Sequence, residues 1–400
     1  MAVAGIIAEY HPFHRGHAWQ IAEARSRLGE GTAIIAVMSG NFVQRGDFAM
    51  FSKHARAEMA LRGGVDLVLE LPTPWASATA ERFAQGGVSL LAATGIVTHL
   101  VFGCECGDAL PLQKTADALD DPSFSELLRR KLSQGGSFAA ARETALSEIA
   151  GEAAHVLARP NNALAVEYLR ALSAMHSLIS PLALPRVGSD HDSGELSAYP
   201  SASAIRGVIL SGGDWRPLVS DETAAVMLRE LETGRAPVTM KTSERAILAK
   251  LRSLPEEAFE VYDGGGEGLY HRFYAAVHSG CDVDSILDTA KTKRYSLARL
   301  RRMLLHSYLE LPQAAQGEKP PYLRVLGATG RGRKLLREMS ETASLPIITK
   351  PADARKLDAQ AHALFAREAA CTDLYTLSMP QLAHAKPDIE FRTPAVMVDL

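Results

Sequence analysis

Two imidazoles three residues apart, His14 and His17, bracket Arg15 and Gly16 in a segment that reads Glu9-Tyr-His-Pro-Phe-His-Arg-Gly-His17. A glycine at Gly16 lets backbone come close to a ligand, and a helix opening near His17 would offer unpaired N–H groups and a positive dipole end. Imidazoles donating hydrogen bonds at that point suit an anion whose charge grows during reaction, such as the bridging phosphate of a nucleotide. The result is a phosphate site without a Walker lysine. The other reading of so short a pattern is a loop of solvated or capping histidines. Context separates the two: the segment follows an apolar run, Val3–Glu9, and opens an amphipathic stretch, His17–Leu28. Strand, loop and helix start in that order are what the phosphate chemistry requires.

A second group lies at Ser201-Ala-Ser-Ala-Ile-Arg206, where hydroxyls at a helix start and an arginine would make another phosphate cradle. Its rival reading is a plain N-cap at Ser201 or Ser203 with Arg206 as a surface charge. Cationic residues concentrate in Lys291–Arg302 (KTKRYSLARLRR), six of them and no acid, with Tyr295 available to stack on a base. Arg331, Arg333, Lys334 and Arg337 form a second cluster. A solvated helix face is the alternative for such runs. Gly327–Lys334 (GATGRGRK) is no Walker A motif, because the closing Gly-Lys-Ser/Thr is missing.

The elements that must position these groups follow from periodicity. Val3–Glu9, Thr32–Met38, Val65–Leu71 and His99–Phe102 are short apolar runs of the kind buried in parallel sheets. Helical stretches separate them at His17–Leu28, Ser52–Leu61 and Thr79–Ala92, two ending at Gly63-Gly64 and Gly95. This predicts an α/β fold, a Rossmann-like parallel sheet with helices on both faces and its ligands beyond the carboxyl ends of the strands. A fifth strand is expected at Leu182–Val187. Asn161 or Asn162 should cap a helix running through Tyr168 and Leu172. After Gly212-Gly213 strand signals fade and the chain becomes mainly helical, with a glycine-rich interruption at Gly264–Gly268. A boundary near residue 212 therefore divides a sheet domain, 1–212, from a mainly α-helical domain, 213–400.

Composition narrows the classes. The chain has 400 residues, 47% of them hydrophobic, enough for two or three domains with real cores. Forty-three Lys+Arg against 46 Asp+Glu exclude a polycation, so any nucleic-acid contact must be local. Cys104, Cys106, Cys281 and Cys371 are too few and too scattered for a disulfide scaffold, and Cys104-Glu-Cys106 lacks zinc spacing. The start of the chain reads as a strand rather than a secretory leader. The uncharged stretch Phe83–Cys104 reads as helix, turn and buried strand instead of a membrane span, which points to the cytoplasm.

His14-Arg15-Gly16-His17 resembles the HxGH signature of the nucleotidyltransferase superfamily, and Ser201–Arg206 is similar to that superfamily's second motif, with Ala202 and Ser203 departing from it. A narrower resemblance covers nearly the whole chain. Ala8–His17 (AEYHPFHRGH), Val37–Gly46 (VMSGNFVQRG), Val65–Pro72 (VDLVLELP), Arg159–Asn162 (RPNN), Lys291–Tyr295 (KTKRY) and Tyr322–Gly327 (YLRVLG) resemble, in order, motifs of the tRNA(Met) cytidine acetate ligase family. One departure is His11, where that family typically has Asn.

The resemblance implies an ATP-dependent ligase that makes acetyl-adenylate from acetate and passes the acetyl group to N4 of the wobble cytidine of elongator tRNA(Met), with Mg2+ bridging phosphates. A small-molecule adenylyltransferase of cofactor metabolism is the alternative, since the first step is common to both. It implies catalytic roles for His14 and His17, and ATP contacts from Ile7, Ala8, Glu9, Tyr10, His11, Pro12, Phe13, His14, Arg15, Gly16, His17, Ala18, Trp19 and Gln20. Gly103, Asn161 and Arg186 join that set, as do Ser203 and Arg206 of the second motif. Lys291, Lys293 and Arg294 are the expected RNA contacts, and no metal ligands are expected. Asn41, Gln44 and Arg45, in the loop after the second strand, could recognise acetate, ribose or base, with Lys53, His54 and Arg56 on the next helix; a solvated polar loop and helix face is the other reading.

Overall fold

The computed structural model describes residues 2–135, 138–186, 199–262, 265–266 and 268–399. Five parallel strands carry the first part of the chain: β1 (Val3–Ala8), β2 (Ala33–Ser39), β5 (Leu67–Leu71), β6 (His99–Cys104) and β7 (Ser180–Pro185). Between β2 and β5 a small antiparallel hairpin is formed by β3 (Phe42–Val43) and β4 (Asp47–Phe48). β2 and β5 are buried along their whole length, as apolar strands covered on both faces must be. The expected strands lie where the apolar runs placed them, within one or two residues. Val187, the expected end of the fifth, is outside the described residues, as are Gly264 and Glu267 of the glycine-rich segment.

Helices cover the sheet. α1 (Arg15–Leu28) and α2 (Lys53–Arg62) follow β1 and the hairpin, and α3 (Thr73–Ala76) and α4 (Ala80–Ala93) follow β5. The stretch Phe83–Cys104 is the end of α4, a turn at Gly95 and β6, as periodicity indicated. Among the described residues no helix is long and apolar enough to cross a membrane.

Sheet order is β5-β2-β1-β6-β7 for these strands. The chain winds outward from β1 through β2 to β5, then returns to the other side of β1 at β6. The topological switch point is therefore the crevice between the carboxyl ends of β1 and β6, where ligands bind in such sheets.

A boundary near residue 212 describes the chain only as far as about residue 311. Residues 214–311 are helical, but β8 (Leu323–Thr329) then joins the sheet antiparallel to β5, with β9 (Ile347–Ile348) and β10 (Val396–Val398) beside it. The missed signal is Tyr322–Gly327, a buried run, apolar but for Arg324, whose partner strand lies about 260 residues earlier. Hydrophobic residues of β8 share one core with β1, β2, β5 and α4. The start of the helical segment, Trp215 to Ala236, packs on the other face of the sheet, and from Val238 onward it builds a separate core that also takes in Phe42 and Phe48 of the hairpin.

Candidate active site

His14 is the N-cap of α1: its Nδ1 accepts from the Gly16 N–H at 3.0 Å, and the His17 Nδ1 accepts from the His14 N–H at 3.2 Å. This is a capping box with imidazoles in place of a hydroxyl and a carboxylate. The two rings stack with centroids 3.8 Å apart. Both Nδ1 atoms are acceptors, so a neutral imidazole must carry its proton on Nε2. Burial, followed by the charges of Arg186 and Arg206, lowers the His14 pKa to about 3. His17 is pushed well below the usual histidine range by burial, by His14 and by Arg186. The pair thus presents two Nε2–H donors that do not titrate near neutrality. The two imidazoles are therefore capping groups and not solvated loop side chains.

Behind them the loop is packed rigidly. Tyr10 and Phe13 are buried, and Tyr10 meets both Phe13 and His17 edge-on. Gly63 accommodates the Phe13 ring, since a Cβ there would lie 2.2 Å from Phe13 Cε1. The peptide before Pro12 is cis. His11, where the resembling family has Asn, is buried; its Nε2 accepts the Met50 N–H at 2.8 Å. Burial, aided by Arg206 and Arg56, keeps it neutral. Its role is to tie the loop to the chain before α2. Ile7 points into the core beneath Gly87, Ala8 and Glu9 are half-buried, and Arg15 is exposed. Ala18, Trp19 and Gln20 lie half-buried on the first turns of α1.

The second motif comes to the same loop. Ser201 is the N-cap of helix Ala202–Leu210, and the Arg206 guanidinium donates to the His11 carbonyl at 2.7 Å and to Ser203 Oγ at 3.0 Å. Arg206 is therefore part of the loop's frame and not a surface charge. Gly103 and Arg186 meet across β6 and β7, where a Cβ on Gly103 would lie 3.3 Å from Arg186 Cγ.

Asn161 and Asn162 do not cap their helix. Helix Pro160–Ala174 has Arg159 as its N-cap, and the Glu105 carboxylate accepts from the Asn161 and Asn162 N–H groups and from Asn161 Nδ2 at 2.6 Å. A carboxylate at a helix N-terminus satisfies the orphan donors and the dipole together.

Other expected contacts are differently placed. Asn41 is buried, accepting from the Lys53 N–H and donating to Thr372 Oγ1, so it faces the interior. Gln44 donates its backbone N–H to Glu9 Oε1 at 2.8 Å, and Arg45 is exposed. Lys53 is buried between Glu70 (2.8 Å) and Glu390 (2.7 Å). Tyr295 is buried, with the guanidiniums of Arg294 and Arg299 over its ring at 5.5 and 5.4 Å. It shapes the basic segment from within instead of offering a stacking face. Lys291, Lys293 and Arg294 are exposed.

The basic segment reaches the sheet's ligand end through the hairpin. Gly46 sits against the backbone of Arg301 and Arg302 in helix Leu297–Leu309, and the Asp47 carboxylate feels both Arg301 and Arg206. Among the described residues no group of three or more His, Cys, Asp or Glu side chains is arranged to hold a metal. A cavity of about 530 Å³ between α2 and residues 372–396 shares nothing with the histidine loop. Its arginines are already paired, Arg229 with Glu58 and Arg235 with Glu230.

A model of the HIGH nucleotidyl transferase family matches residues 1–388. A tRNA(Met) cytidine acetate ligase of Syntrophomonas wolfei is 37% identical, the match covering 99% of each chain. The chain belongs to the tRNA(Met) cytidine acetate ligase family of HIGH nucleotidyl transferases. A second ligase of that name, from Caldanaerobacter subterraneus, is 37% identical over 97% of this chain and 98% of its own. Among solved structures, Thermotoga maritima TmcAL bound with alpha-thio ATP superposes with a TM-score of 0.93 at 33% identity, covering all of both chains. The apo form of the same protein gives a TM-score of 0.95.

Proposed function

We propose that this chain uses ATP to activate acetate as acetyl-adenylate and then acetylates N4 of the wobble cytidine of elongator tRNA(Met). The observation that carries the reading is the histidine capping box at the switch point, with two neutral Nε2–H donors beside Arg186 and Arg206. Acetate is ionised near neutral pH, so the first step needs no general base. One carboxylate oxygen attacks the α-phosphorus, the bond to the bridging oxygen breaks, and pyrophosphate leaves with the added charge. Fixed donors aimed at that charge stabilise the transition state without reorganising.

In the second step N4 attacks the acyl carbon, AMP departs and the nitrogen loses a proton. His14 and His17 hold the phosphates; Gly103 and Arg186 flank them from β6 and β7; Ser203 and Arg206 close the other side. Asn161 reaches ligand by giving up its bond to Glu105. Mg2+ would come with ATP as part of the substrate and would supply charge neutralisation at the phosphates. Lys291, Lys293 and Arg294 bind the RNA, whose path to the phosphates crosses the β3–β4 hairpin. A cytoplasmic setting follows from a tRNA substrate.

The small-molecule adenylyltransferase alternative is disfavoured, because the full-length relatives carry the ligase name and the similarity extends through the basic helical segment. Incubation with ATP, labelled acetate and elongator tRNA(Met), followed by digestion, should give labelled N4-acetylcytidine. Adenylylation of a small metabolite with no label in any tRNA would refute the reading.

A further inference from the structure

Arg56 lies on α2 with no exposed surface, beneath the loops that end β1 and β2. Its Nε donates to the Phe51 carbonyl at 3.0 Å, Nη1 to that of Glu9, and Nη2 to those of Ser39 (3.0 Å) and Gly40. Four of its five N–H donors are thus engaged, all by backbone carbonyls. Among the described residues no carboxylate lies within ion-pair distance of it. A buried charge without a paired counter-ion is costly, and here it is solvated by four carbonyl dipoles drawn from three chain segments.

Those segments are the root of the histidine loop at Glu9, the end of β2 at Ser39-Gly40, and the lead into α2 at Phe51. Only a planar guanidinium can span them, because an ammonium radiates three donors from one point. The Glu9 side chain continues the brace, accepting the Gln44 N–H, and His11, two residues on, does so by accepting the Met50 N–H.

We infer that Arg56 is a positioning residue for the adenylation step, locking the histidine loop to the Ser39–Arg45 loop so that the Nε2–H donors are aimed before ATP arrives, with a fixed positive charge beneath an anion site. It acts through the loops and touches no substrate. This rests on the histidine loop being the phosphate site, and the test separates the two.

The experiment measures acetate-dependent ATP–pyrophosphate exchange in the full chain for Arg56→Lys, Arg56→Ala and His14→Ala, with melting temperature and tRNA affinity for each. A displacement of about 1 Å in a reacting group can lower a rate about 10²-fold. Arg56→Lys should therefore melt cooperatively and bind tRNA normally while kcat for exchange falls about 10²-fold and KM for ATP moves far less. Guanidinium added to Arg56→Ala should restore exchange, and methylammonium should not. Wild-type exchange in folded Arg56→Lys, a change confined to KM, no recovery with guanidinium, or loss of cooperative melting in both variants would each overturn the inference. Undiminished exchange in His14→Ala would instead overturn the assignment of the phosphate site on which it rests.

Discussion

Replacing Gly16 by alanine adds one methyl group where the cap and the proposed phosphate donors coincide. A Cβ at Gly16 would lie 2.9 Å from His14 Cε1 and 3.1 Å from Nδ1. Carbon pairs rest at about 3.5–4.0 Å, so the ring must retreat by more than about half an ångström. Nδ1 is also the acceptor for the Gly16 N–H, and losing such a cap costs about 0.5–2 kcal/mol. Alanine in place of glycine within a helix returns up to about 1 kcal/mol. The two nearly cancel, so stability should change by about 1 kcal/mol, a melting shift of at most about 2–4 °C. Catalysis has no such compensation. Misaiming one fixed donor costs about 10²–10³ in rate. Gly16→Ala should thus lose about 10²-fold in acetate-dependent ATP–pyrophosphate exchange with its melting curve almost unmoved. Undiminished exchange would refute the claim that the cap aims His14. A collapse of the melting temperature would show that the ring cannot retreat and that the cancellation is wrong.

The pH dependence of His14 has a definite sign. Its folded pKa, about 3, lies below the ordinary 6.5, so it contributes stability above pH 6.5 that is lost as pH falls from there. Relative to His14→Gln, wild type should lose about 1.6 kcal/mol in all between pH 6.5 and 5, by denaturant titration, and the His14 NMR signals should stay in the Nε2–H form; titration near 6.5 would sink this. The triple variant Lys291→Ala, Lys293→Ala, Arg294→Ala should weaken tRNA binding and reduce the log–log salt slope by about 2, leaving exchange intact; an unchanged slope moves the RNA contact elsewhere. Burial alone would raise the Glu390 carboxyl, but Lys53, His54 and Arg324 hold it down to about 2. Glu390→Gln should cost about 3 kcal/mol or more by urea denaturation, because it takes the carboxylate from buried Arg324 and leaves buried Lys53 with Glu70 alone; a neutral result would show that the network relaxes around the amide.

The histidine loop was legible because all that makes it is contiguous: an apolar strand, a short loop and a helix start, with cap and capping partner three residues apart. What failed to read depends on distance. β8 pairs with β5 across more than 250 residues and interrupts a helix-rich region, so no local period announces its place in the sheet. Asn41 and Tyr295 were expected to face ligand because of their residue types, yet type does not say which side of a loop faces in; their partners are Thr372 and two arginines of their own segment. Lys53 and Arg56 read as a polar helix face because the groups that bury them, Glu70, Glu390 and the carbonyls of Glu9 and Ser39, come from four other parts of the chain. Asn161 was recognised as a helix-start residue but not as a partner of Glu105, which belongs to the loop after β6.

These misreadings share a cause that bears on mechanism. A polar residue placed on substrate and one placed on the frame beneath it look alike in sequence, since both sit near the carboxyl ends of strands. Electrostatics separates them here. Beyond burial, Arg186 acts on both His14 and His17 and Arg206 on His14, which helps to keep the imidazoles neutral. Arg56 acts on His11 and, through the carbonyls of Glu9, Ser39 and Gly40, on the backbone that carries the donors. Arg186 therefore bears on the charge state of the proposed phosphate donors, Arg56 on their position, and Arg206, bonded to the His11 carbonyl, on both. An anionic substrate would offset the charge of Arg186 and Arg206 directly, whereas Arg56 is satisfied by carbonyl dipoles before substrate arrives. Such a division lets the site be positive enough to attract a polyphosphate and still rigid enough to align it.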